Sequence, residues 1–560
     1  MKSFIKNKDK FSKLILFFIF LLALLLRFYQ LGQVPNGVTN DEANFAYDAY
    51  LLSQTGKDQW GSFLPWQFKG FGDYRLPGYQ YLIVPLVKIF SLEAWVIRLP
   101  AAFFGAATVL AVYFLIQALF KGRDFAPVLG LITGILLVFN PWHFALSRVV
   151  MEANVGLFFS LLSIYFYLRS EKSLRSFFLA VVLAVLSFYT YYGYRVFLPL
   201  FLFYLSLKKP FLIKKNWQKK IAVLLIGVVL LLPAVFSLAG GGSARLRQVG
   251  FWQDKSLLAE TNSFRGDCRQ KIGDFICRLF FNKPITIIKQ FFLNYFNHFS
   301  LTFLFFPQFE KGWGFIPPSG YFYLVNLIPF VLGFLLLNKN KEGRLVLVLV
   351  LLAPLADSLT GKGHFARSFA LIIPLLIFTA FGWLAIFSFL KKKQKNILSV
   401  LLAGSYCYFA AAFLINYFIY YPLRHSRYFH YEYRPLFSYL KKVEKDYDQI
   451  FISRVNHDTK QYIFYLYYFK VDSQQYFKMN KEIIVEDNGW LWVQKIGKFN
   501  FINQAKKIED YPPNSLLAID PQGVKDFPRP QEVIKYPTGE AAFNIYDLDQ
   551  TRIKIEKGGK

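Results

Sequence analysis

Long, nearly uninterrupted apolar runs constrain the fold of this chain more than any other feature of its sequence. They recur along the first three quarters of the chain, and most approach the roughly 20 residues with which a helix crosses a bilayer core. Because a chain inside lipid must satisfy its backbone hydrogen bonds internally, the runs predict membrane-spanning helices. They lie at 12–30, 95–120, 125–141, 153–169, 175–190, 194–207, 220–238, 319–338, 343–360, 366–390 and 396–420.

The distribution of charge predicts how these helices are oriented. Lysine and arginine total 65 against 35 aspartate and glutamate, and much of the excess falls in short clusters between the runs. The shorter apolar segment 77–90 determines on which side of the membrane these clusters lie. All of them lie in the cytoplasm only if this segment follows the membrane interface and does not cross the bilayer. The clusters are 121–123, 169–175, 208–220, 339–344 and 391–395. The positive charge is therefore assigned to topology and to anionic lipid of the bilayer, and no nucleic-acid partner is expected.

This topology predicts a polytopic α-helical membrane protein with about eleven spans, a cytoplasmic amino terminus and two domains. Residues 1–421 form the transmembrane domain, whose main outer loops are 31–94 and 239–318. Beyond residue 421 short apolar stretches alternate with charges, which is typical of a small extracytoplasmic α/β domain, 422–560. There Gln449–Ser453 and 482–485 are expected to be strands and 460–469 a helix. Cys268 and Cys277 share the long outer loop, and their pairing is left open.

Asp41 and Glu42 follow the first apolar run directly, on the predicted outer face. One interpretation is a solvated acidic turn in which Asp41 caps a helix from about Ala43. The other is catalysis, because carboxylates suit general-base work and metal binding. The same face receives Glu152 and several cations that suit a phosphate: Arg75, His364 and Arg367. Aromatic residues at this membrane edge suit sugar stacking as well as an interfacial belt.

Several motifs in this order resemble the family 39-like, C-type membrane glycosyltransferases. The first outer loop carries most of the resemblance, with Asp41-Glu42, Tyr47-Asp48, Thr55-Gly56-Lys57-Asp58 and Tyr74-Arg75-Leu76-Pro77-Gly78-Tyr79. Arg98-Leu99-Pro100-Ala101 and the later Ser358-Leu359-Thr360, His364 and Arg367 extend it over roughly 12–390. The resemblance is to protein O-mannosyltransferases and lipid A aminoarabinose transferases.

The resemblance implies a sugar transferred from a polyprenyl-phosphate donor to a glycan, lipid or protein acceptor on the outer face of the plasma membrane. Asp41 is then the catalytic base, with Glu42 supporting it and Glu152 as a second acidic group. Donor-phosphate binding falls to Arg75, His364 and Arg367, and acceptor or sugar contacts fall to Tyr74, Asp48 and Tyr194. No cofactor is assigned, and a divalent metal is left open without assigned ligands.

Two other functions use the same features differently. A non-enzymatic transporter of lipid-linked glycan would line a path with these charges, but it would need polar residues deep within several spans, and few are found. A membrane-anchored binding protein would rely on 422–560 alone and would not need Asp41, Glu42 and Arg75 upstream.

Overall fold

The computed structural model describes the chain in segments. The described residues are 2–171, 173–208, 217–237, 250–306, 320–454, 460–486, 489–504, 506–523 and 527–556. Both ends of the long outer loop, at 238–249 and 307–319, therefore lie outside the described residues. The chain divides into two compact units, one made of Met1–Tyr29 with Ala101–Leu414 and the other of Gln30–Pro100 with Ile415–Lys560.

The first unit is helical throughout its described regular structure. Within the described residues each apolar run is largely helical, because an apolar stretch in lipid must satisfy its own backbone groups, although the run 343–360 is divided between two helices. The helices of this unit, two of which continue across its boundary, are Lys2–Phe28, Ala94–Leu119, Ala126–Val138, Pro141–Leu146, Glu152–Arg169, Leu174–Thr190, Tyr194–Lys208, Trp217–Ser237, Lys255–Arg269, Asp274–Phe280, Lys283–Asn297, Leu301–Phe305, Leu327–Leu337, Lys341–Leu352, Leu355–Ser358, Ile372–Phe389 and Lys392–Ile415.

Several of these helices are long and apolar enough to cross a membrane. Within the described residues the candidates are Lys10–Phe28, Ala94–Leu119, Trp217–Phe236, Phe369–Phe389 and Lys392–Arg424. Shorter apolar helices lie at Ala126–Val138, Leu174–Thr190 and Leu324–Leu337. A multi-pass helical membrane protein is thereby supported, while the count of about eleven spans stays a prediction.

Two local features stabilise the first unit. Arg148 is buried and caps the first helix, since its guanidinium donates to the carbonyl oxygens of Leu26 and Arg27 at 2.9 and 2.7 Å. In the long outer loop, Cys268 and Cys277 form a disulfide with their Cα atoms 5.8 Å apart. The pairing that the sequence left open is thus present in the structure.

The second unit combines the first outer loop with the carboxyl-terminal part of the chain. Its helices are Asn40–Thr55, Pro77–Phe90, Tyr421–Arg424, Tyr433–Val443, Gln461–Phe469, Ser473–Lys478 and Leu548–Glu556. A small antiparallel pair, Phe68–Lys69 with Tyr74–Arg75, lies in the outer-loop part. Helix Pro77–Phe90 has 14 residues. It therefore extends about 21 Å, short of the ~30 Å of a bilayer core.

A mixed sheet forms the core of the carboxyl-terminal part. Its central strand, Gln449–Ser453, is parallel to both neighbours, and the outer strands are antiparallel. Across the described sheet the order is Lys481–Val485, Leu491–Ile496, Phe499–Ile502, Gln449–Ser453, Ser515–Ile519, Ala541–Asp547 and Glu532–Lys535. The α/β character expected beyond residue 421 is present, and the two strands and the helix named from the sequence lie where they were expected, within one residue.

Backbone contacts join the two sequence segments of the second unit. The Tyr47 hydroxyl donates to the carbonyl of Val471 at 2.9 Å, and the Leu491 amide donates to the carbonyl of Phe71 at 2.7 Å. Gly37 lies so close to the chain that a Cβ there would be 2.0 Å from the carbonyl oxygen of Phe429. A larger residue at position 37 would therefore push the two segments apart.

Candidate functional site

Helix Asn40–Thr55 of the second unit carries the acidic pair. Its N-cap is Thr39, whose hydroxyl accepts the Glu42 amide at 3.1 Å while the Glu42 carboxylate accepts the Thr39 amide at 3.1 Å. This is a capping box, which satisfies two amides that a helix start leaves unpaired. Asp41 lies within the first turn of the helix, and the residue that caps the helix is Thr39.

Glu42 is held by a buried ion pair with Arg98. The carboxylate accepts from Nε and Nη2 of Arg98 at 2.8 and 2.9 Å, and neither side chain is more than 2% exposed. Arg98 also donates to the carbonyls of Leu31 and Pro35. All of its donors therefore face acceptors, as a charge buried at this depth requires. The pair fixes where the helix of Asp41 begins relative to the chain before it.

Asp41 is, by contrast, open to solvent. Its side chain is 61% exposed and lies 3.3 Å from Nη2 of Arg75, whose own side chain is 4% exposed. Arg75 donates to Oδ1 of Asn44 at 2.7 Å and lies over the rings of Phe45 and Phe71. The predicted catalytic role of Asp41 thus rests on an accessible carboxylate beside a fixed guanidinium.

The strand Tyr74–Arg75 explains why these neighbours differ in exposure. Successive strand residues point to opposite faces, so Arg75 faces inward while Tyr74 is partly exposed. The sugar or acceptor contact of Tyr74 stays a prediction.

Asp48 lies two helical turns beyond Asp41 and is fully buried. It accepts from the backbone amide of Gln59 at 3.1 Å and from Nε2 of Gln80 at 3.3 Å. Burial raises the pKa of Asp48 to about 7, against the opposing effects of the Gln59 amide and of Arg75. The Asp48 carboxylate is thus engaged inside the protein, and its acceptor or sugar contact stays a prediction.

Raising the pH is expected to destabilise the protein through Asp48. The pKa of Asp48 is about 7 in the folded protein and about 3.8 in the unfolded chain. The folded state therefore favours the protonated form, and this stabilisation is lost as the pH rises from about 4 through about 7. The full change is roughly 4 kcal/mol in the free energy of unfolding. Thermal unfolding at several pH values measures it.

A neutral replacement provides the matched test of this pH dependence. Asp48→Asn should flatten the dependence, whereas Asp446→Asn, at an exposed position of the same unit, should leave it unchanged. An Asp48→Asn protein with the slope of the wild type would contradict the assignment.

A second polar cluster lies in the first unit, around the loop that precedes helix Ile372–Phe389. Asp357 and His298 are fully buried, with Nε2 of His298 2.8 Å from Oδ2 of Asp357. Nδ1 of His298 lies 2.9 Å from the carbonyl oxygen of Asn294. The same Asp357 carboxylate accepts the amide of His364 at 2.7 Å and the hydroxyl of Thr360 at 3.2 Å. This pair fixes the loop that carries His364.

His364 is neutral at physiological pH. Burial and the nearby Arg367 lower the pKa of His364 to about 4. Its Nδ1 accepts the Ala366 amide at 3.2 Å, so the ring proton is on Nε2. The ring can therefore donate one hydrogen bond, but it supplies no charge. Arg367 is partly exposed, and its guanidinium makes no hydrogen bond or ion pair with the described residues.

The structure also locates the remaining predicted residues of the first unit. Glu152 is the first residue of helix Glu152–Arg169, where a negative charge is favourable. Tyr194 is 2% exposed, and its hydroxyl donates to the carbonyl of Ala153 at 2.7 Å. Its hydroxyl is thus engaged within the protein, and a sugar contact from Tyr194 stays a prediction.

Arg195 is a candidate that the sequence analysis did not identify. Its Nε donates to the carbonyl of Phe188, and its guanidinium carbon lies 4.9 Å from the ring centroid of Tyr192. Nη1 and Nη2 are buried and have no hydrogen-bond partner among the described residues. The available signal was an arginine directly after the aromatic loop 189–194. Glu42 and Arg98, and likewise His298 and Asp357, are distant in sequence, and no spacing rule connects them.

No group of three or more His, Cys, Asp or Glu side chains in the described residues is arranged to hold a metal ion. The described residues therefore provide no set of ligands for the divalent metal that the sequence left open.

Comparison with known proteins gives one family match. Residues 75–237 match the model of the dolichyl-phosphate-mannose-protein mannosyltransferase family, which covers only part of the chain. No curated protein matches the chain significantly.

Solved structures provide the comparison of folds. ArnT from Cupriavidus metallidurans in its apo state is 9% identical, with a TM-score of 0.51 over 94% of this chain and 96% of ArnT. The oligosaccharyltransferase AglB from Archaeoglobus fulgidus, in complex with an inhibitory peptide and a dolichol-phosphate, is 13% identical with a TM-score of 0.44 over 81% of this chain. The chain spans 63% of the length of AglB.

The Pmt1-Pmt2 complex of S. cerevisiae bound to the sugar donor matches 40% of this chain and 32% of its own, at 17% identity and a TM-score of 0.31. The chain resembles the C-type membrane glycosyltransferases, including the O-mannosyltransferases and ArnT, and it shares the fold of ArnT.

Proposed function

We propose that the protein is an integral membrane glycosyltransferase. It transfers a sugar from a polyprenyl-phosphate donor to a glycan, lipid or protein acceptor on the outer face of the plasma membrane. The observation that carries this proposal is the contrast within the acidic pair, where Glu42 is locked in a buried ion pair and Asp41 stays accessible beside Arg75. A solvated acidic turn would not require a buried ion pair to fix its position.

Asp41 is the general base in this proposal. Its exposed carboxylate can accept the proton of an acceptor hydroxyl as that oxygen attacks the anomeric carbon of the donor sugar and the lipid phosphate departs. Arg75 holds Asp41 in position, in addition to the phosphate binding predicted for it. Glu42 acts as a positioning residue through Arg98, and Glu152 remains the alternative base.

The departing lipid phosphate needs fixed positive charge. Nη1 and Nη2 of Arg195 have no hydrogen-bond partner in the described residues, Arg367 is partly exposed, and guanidinium binds phosphate in a bidentate manner. Neutral His364 adds one donor. The family match to residues 75–237 supports a lipid-phosphate donor, because the description of that family names one. The outward orientation accords with the disulfide Cys268–Cys277, since such bonds persist in oxidising compartments.

Arg367→Gln is expected to weaken donor binding by about tenfold or more without loss of thermal stability. The charged hydrogen bond to the phosphate would be lost, which costs roughly 1.5–3 kcal/mol. No hydrogen bond to a described residue would break. Titration of the purified protein with polyprenyl phosphate measures the affinity. Lys362→Gln, on the same loop and exposed, is the matched control and should bind normally. Equal affinities for both variants and the wild type would remove Arg367 from the donor site.

The direct test supplies the purified protein with radiolabelled polyprenyl-phosphate sugars and an envelope extract containing glycans, lipids and proteins. A labelled product that forms with the wild type, and not with Asp41→Asn, supports transfer. Its extraction into the lipid, protein or polysaccharide fraction identifies the acceptor class. If no donor yields product with the folded wild type, the non-enzymatic transporter or the binding protein becomes the better explanation.

A further inference from the structure

The second unit contains a small pocket that the proposed chemistry does not use. Its volume is about 260 Å³, near the lower end of the ~300–1,000 Å³ typical of ligand sites, so it suits a single sugar residue. The turn after helix Asn40–Thr55, helices Gln461–Phe469 and Ser473–Lys478, and strands Lys481–Val485 and Leu491–Ile496 surround it. Polar and aromatic side chains among its lining residues are Gln59, Trp60, Tyr462, Tyr476, Phe477 and Lys481.

The aromatic wall of the pocket is fixed in place. Oδ1 of Asp58 accepts the amides of Trp60 and Ser62 at 2.9 and 2.8 Å, which holds the turn, and the indole N–H of Trp60 donates to the carbonyl of Lys69 at 2.8 Å. The Tyr476 hydroxyl donates to a backbone carbonyl of the same turn at 3.1 Å. Rigid aromatic groups with an apolar face and a polar edge suit the mixed C–H and hydroxyl surface of a pyranose ring.

Two ammonium groups lie against these rings. Nζ of Lys481 is 3.6 Å from the ring centroid of Tyr476, and Nζ of Lys69 is 4.4 Å from that of Trp60. Neither lysine forms an ion pair within the described residues. Burial lowers the pKa of Lys481, because its ammonium is partly removed from water without a compensating anion. An anion at this position would offset that cost.

The pocket is connected to the acidic pair through a short series of contacts. Tyr462 lines the pocket and makes an edge-to-face contact with the ring of Phe71, over which lies Arg75, the ion-pair partner of Asp41. The backbone of Gln59, also in the lining, binds Asp48. A ligand held here would therefore lie beside the side chains that fix the proposed base.

We propose that this pocket binds a negatively charged sugar residue of the acceptor, a pyranose that carries a carboxylate or a phosphate. The size fits one ring, the aromatic wall fits its apolar face, and Lys481, which lines the pocket, supplies the charge for its acidic substituent. The assignment to the acceptor rests on the proposed function, whereas the binding of an acidic sugar does not.

Saturation-transfer NMR on the full-length protein in detergent tests the proposal without any transfer reaction. The probes are methyl glucuronoside, glucose 6-phosphate and, as the uncharged reference, methyl glucoside. Methyl glucuronoside or glucose 6-phosphate should bind about tenfold more tightly than methyl glucoside, and whichever binds more tightly identifies the acidic group. Lys481→Gln should abolish this preference and Lys481→Arg should retain it, while Lys478→Gln, on the exposed face of the neighbouring helix, should match the wild type.

Three outcomes would overturn the proposal. The first is equal binding of the charged and uncharged sugars. The second is a preference that survives Lys481→Gln in a protein with normal thermal stability. The third is binding of N-acetylglutamate amide, an acidic amino-acid derivative without a sugar ring, that is as tight as binding of the acidic sugar. Because the assay uses free sugars, a positive result together with failed sugar transfer would separate this pocket from the catalytic proposal.

Discussion

Asp41→Asn is expected to lower transferase turnover by about 10²–10⁴-fold, the usual contribution of a general base. The amide keeps the shape of the carboxylate but cannot accept the proton of the acceptor. The helix start should survive, because Thr39 and Glu42 form its capping box. Loss of the ion pair with Arg75 should cost less than about 1 kcal/mol, since Asp41 is 61% exposed. Initial rates at saturating donor, together with thermal unfolding, measure both effects.

The matched control for this prediction is Glu93→Gln. Glu93 forms a partly exposed ion pair with Lys470 in the same unit, 2.8 Å long, so its loss removes a comparable charge contact and nothing proposed to be catalytic. Turnover of this variant should equal that of the wild type. An Asp41→Asn protein that folds normally and retains full activity would end the catalytic assignment and make Glu152 the next candidate base.

Glu42→Ala is expected to be the most destabilising single change at the site. It would leave the guanidinium of Arg98 fully buried without its carboxylate, and breaking a buried ion pair in this way costs about 3–5 kcal/mol. Glu540→Ala breaks an exposed pair with Arg427 and should cost less than about 1 kcal/mol. Thermal unfolding of the two variants provides the comparison.

A double substitution separates the buried charge from the capping box. Glu42→Met combined with Arg98→Met removes both charges and should recover part of the stability lost in Glu42→Ala, because an apolar pair of similar volume avoids the desolvation cost. If Glu42→Ala unfolds at the temperature of the wild type, Glu42 is not the positioning residue proposed here.

The helical elements could be predicted from sequence because their causes are local. The length and composition of each apolar run predict a helix without reference to the rest of the chain. The strand Gln449–Ser453 was likewise expected from a short apolar stretch with two isoleucines between polar neighbours. The boundary of the helix of Asp41 was less certain. Asp and Thr both favour an N-cap, and only the reciprocal hydrogen bonds of Thr39 and Glu42 identify which residue serves.

The pairing of distant charges could not be predicted. Arg98 was recognised only as part of a motif, and the sequence contains nothing that directs its guanidinium to Glu42. His298 and Asp357 are 59 positions apart, and Asp357 lies inside the apolar run 343–360, which indicates no partner for it. These pairs arise from tertiary packing. The chemistry of a candidate residue is readable from its type, but its availability to substrate is not.

The composition of the second unit has a consequence for biosynthesis. Its first segment, Gln30–Pro100, emerges from the ribosome more than three hundred residues before its second segment, which begins at Ile415. The first segment therefore lacks two hydrogen bonds until the second has been synthesised. They join the Tyr47 hydroxyl to the Val471 carbonyl and the Leu491 amide to the Phe71 carbonyl. The helix that carries Asp41 therefore lacks its contacts with the second segment while the intervening spans are inserted. A release of the nascent chain before residue 460 would leave an inserted protein in which the helix of Asp41 lacks its contacts with the carboxyl-terminal segment.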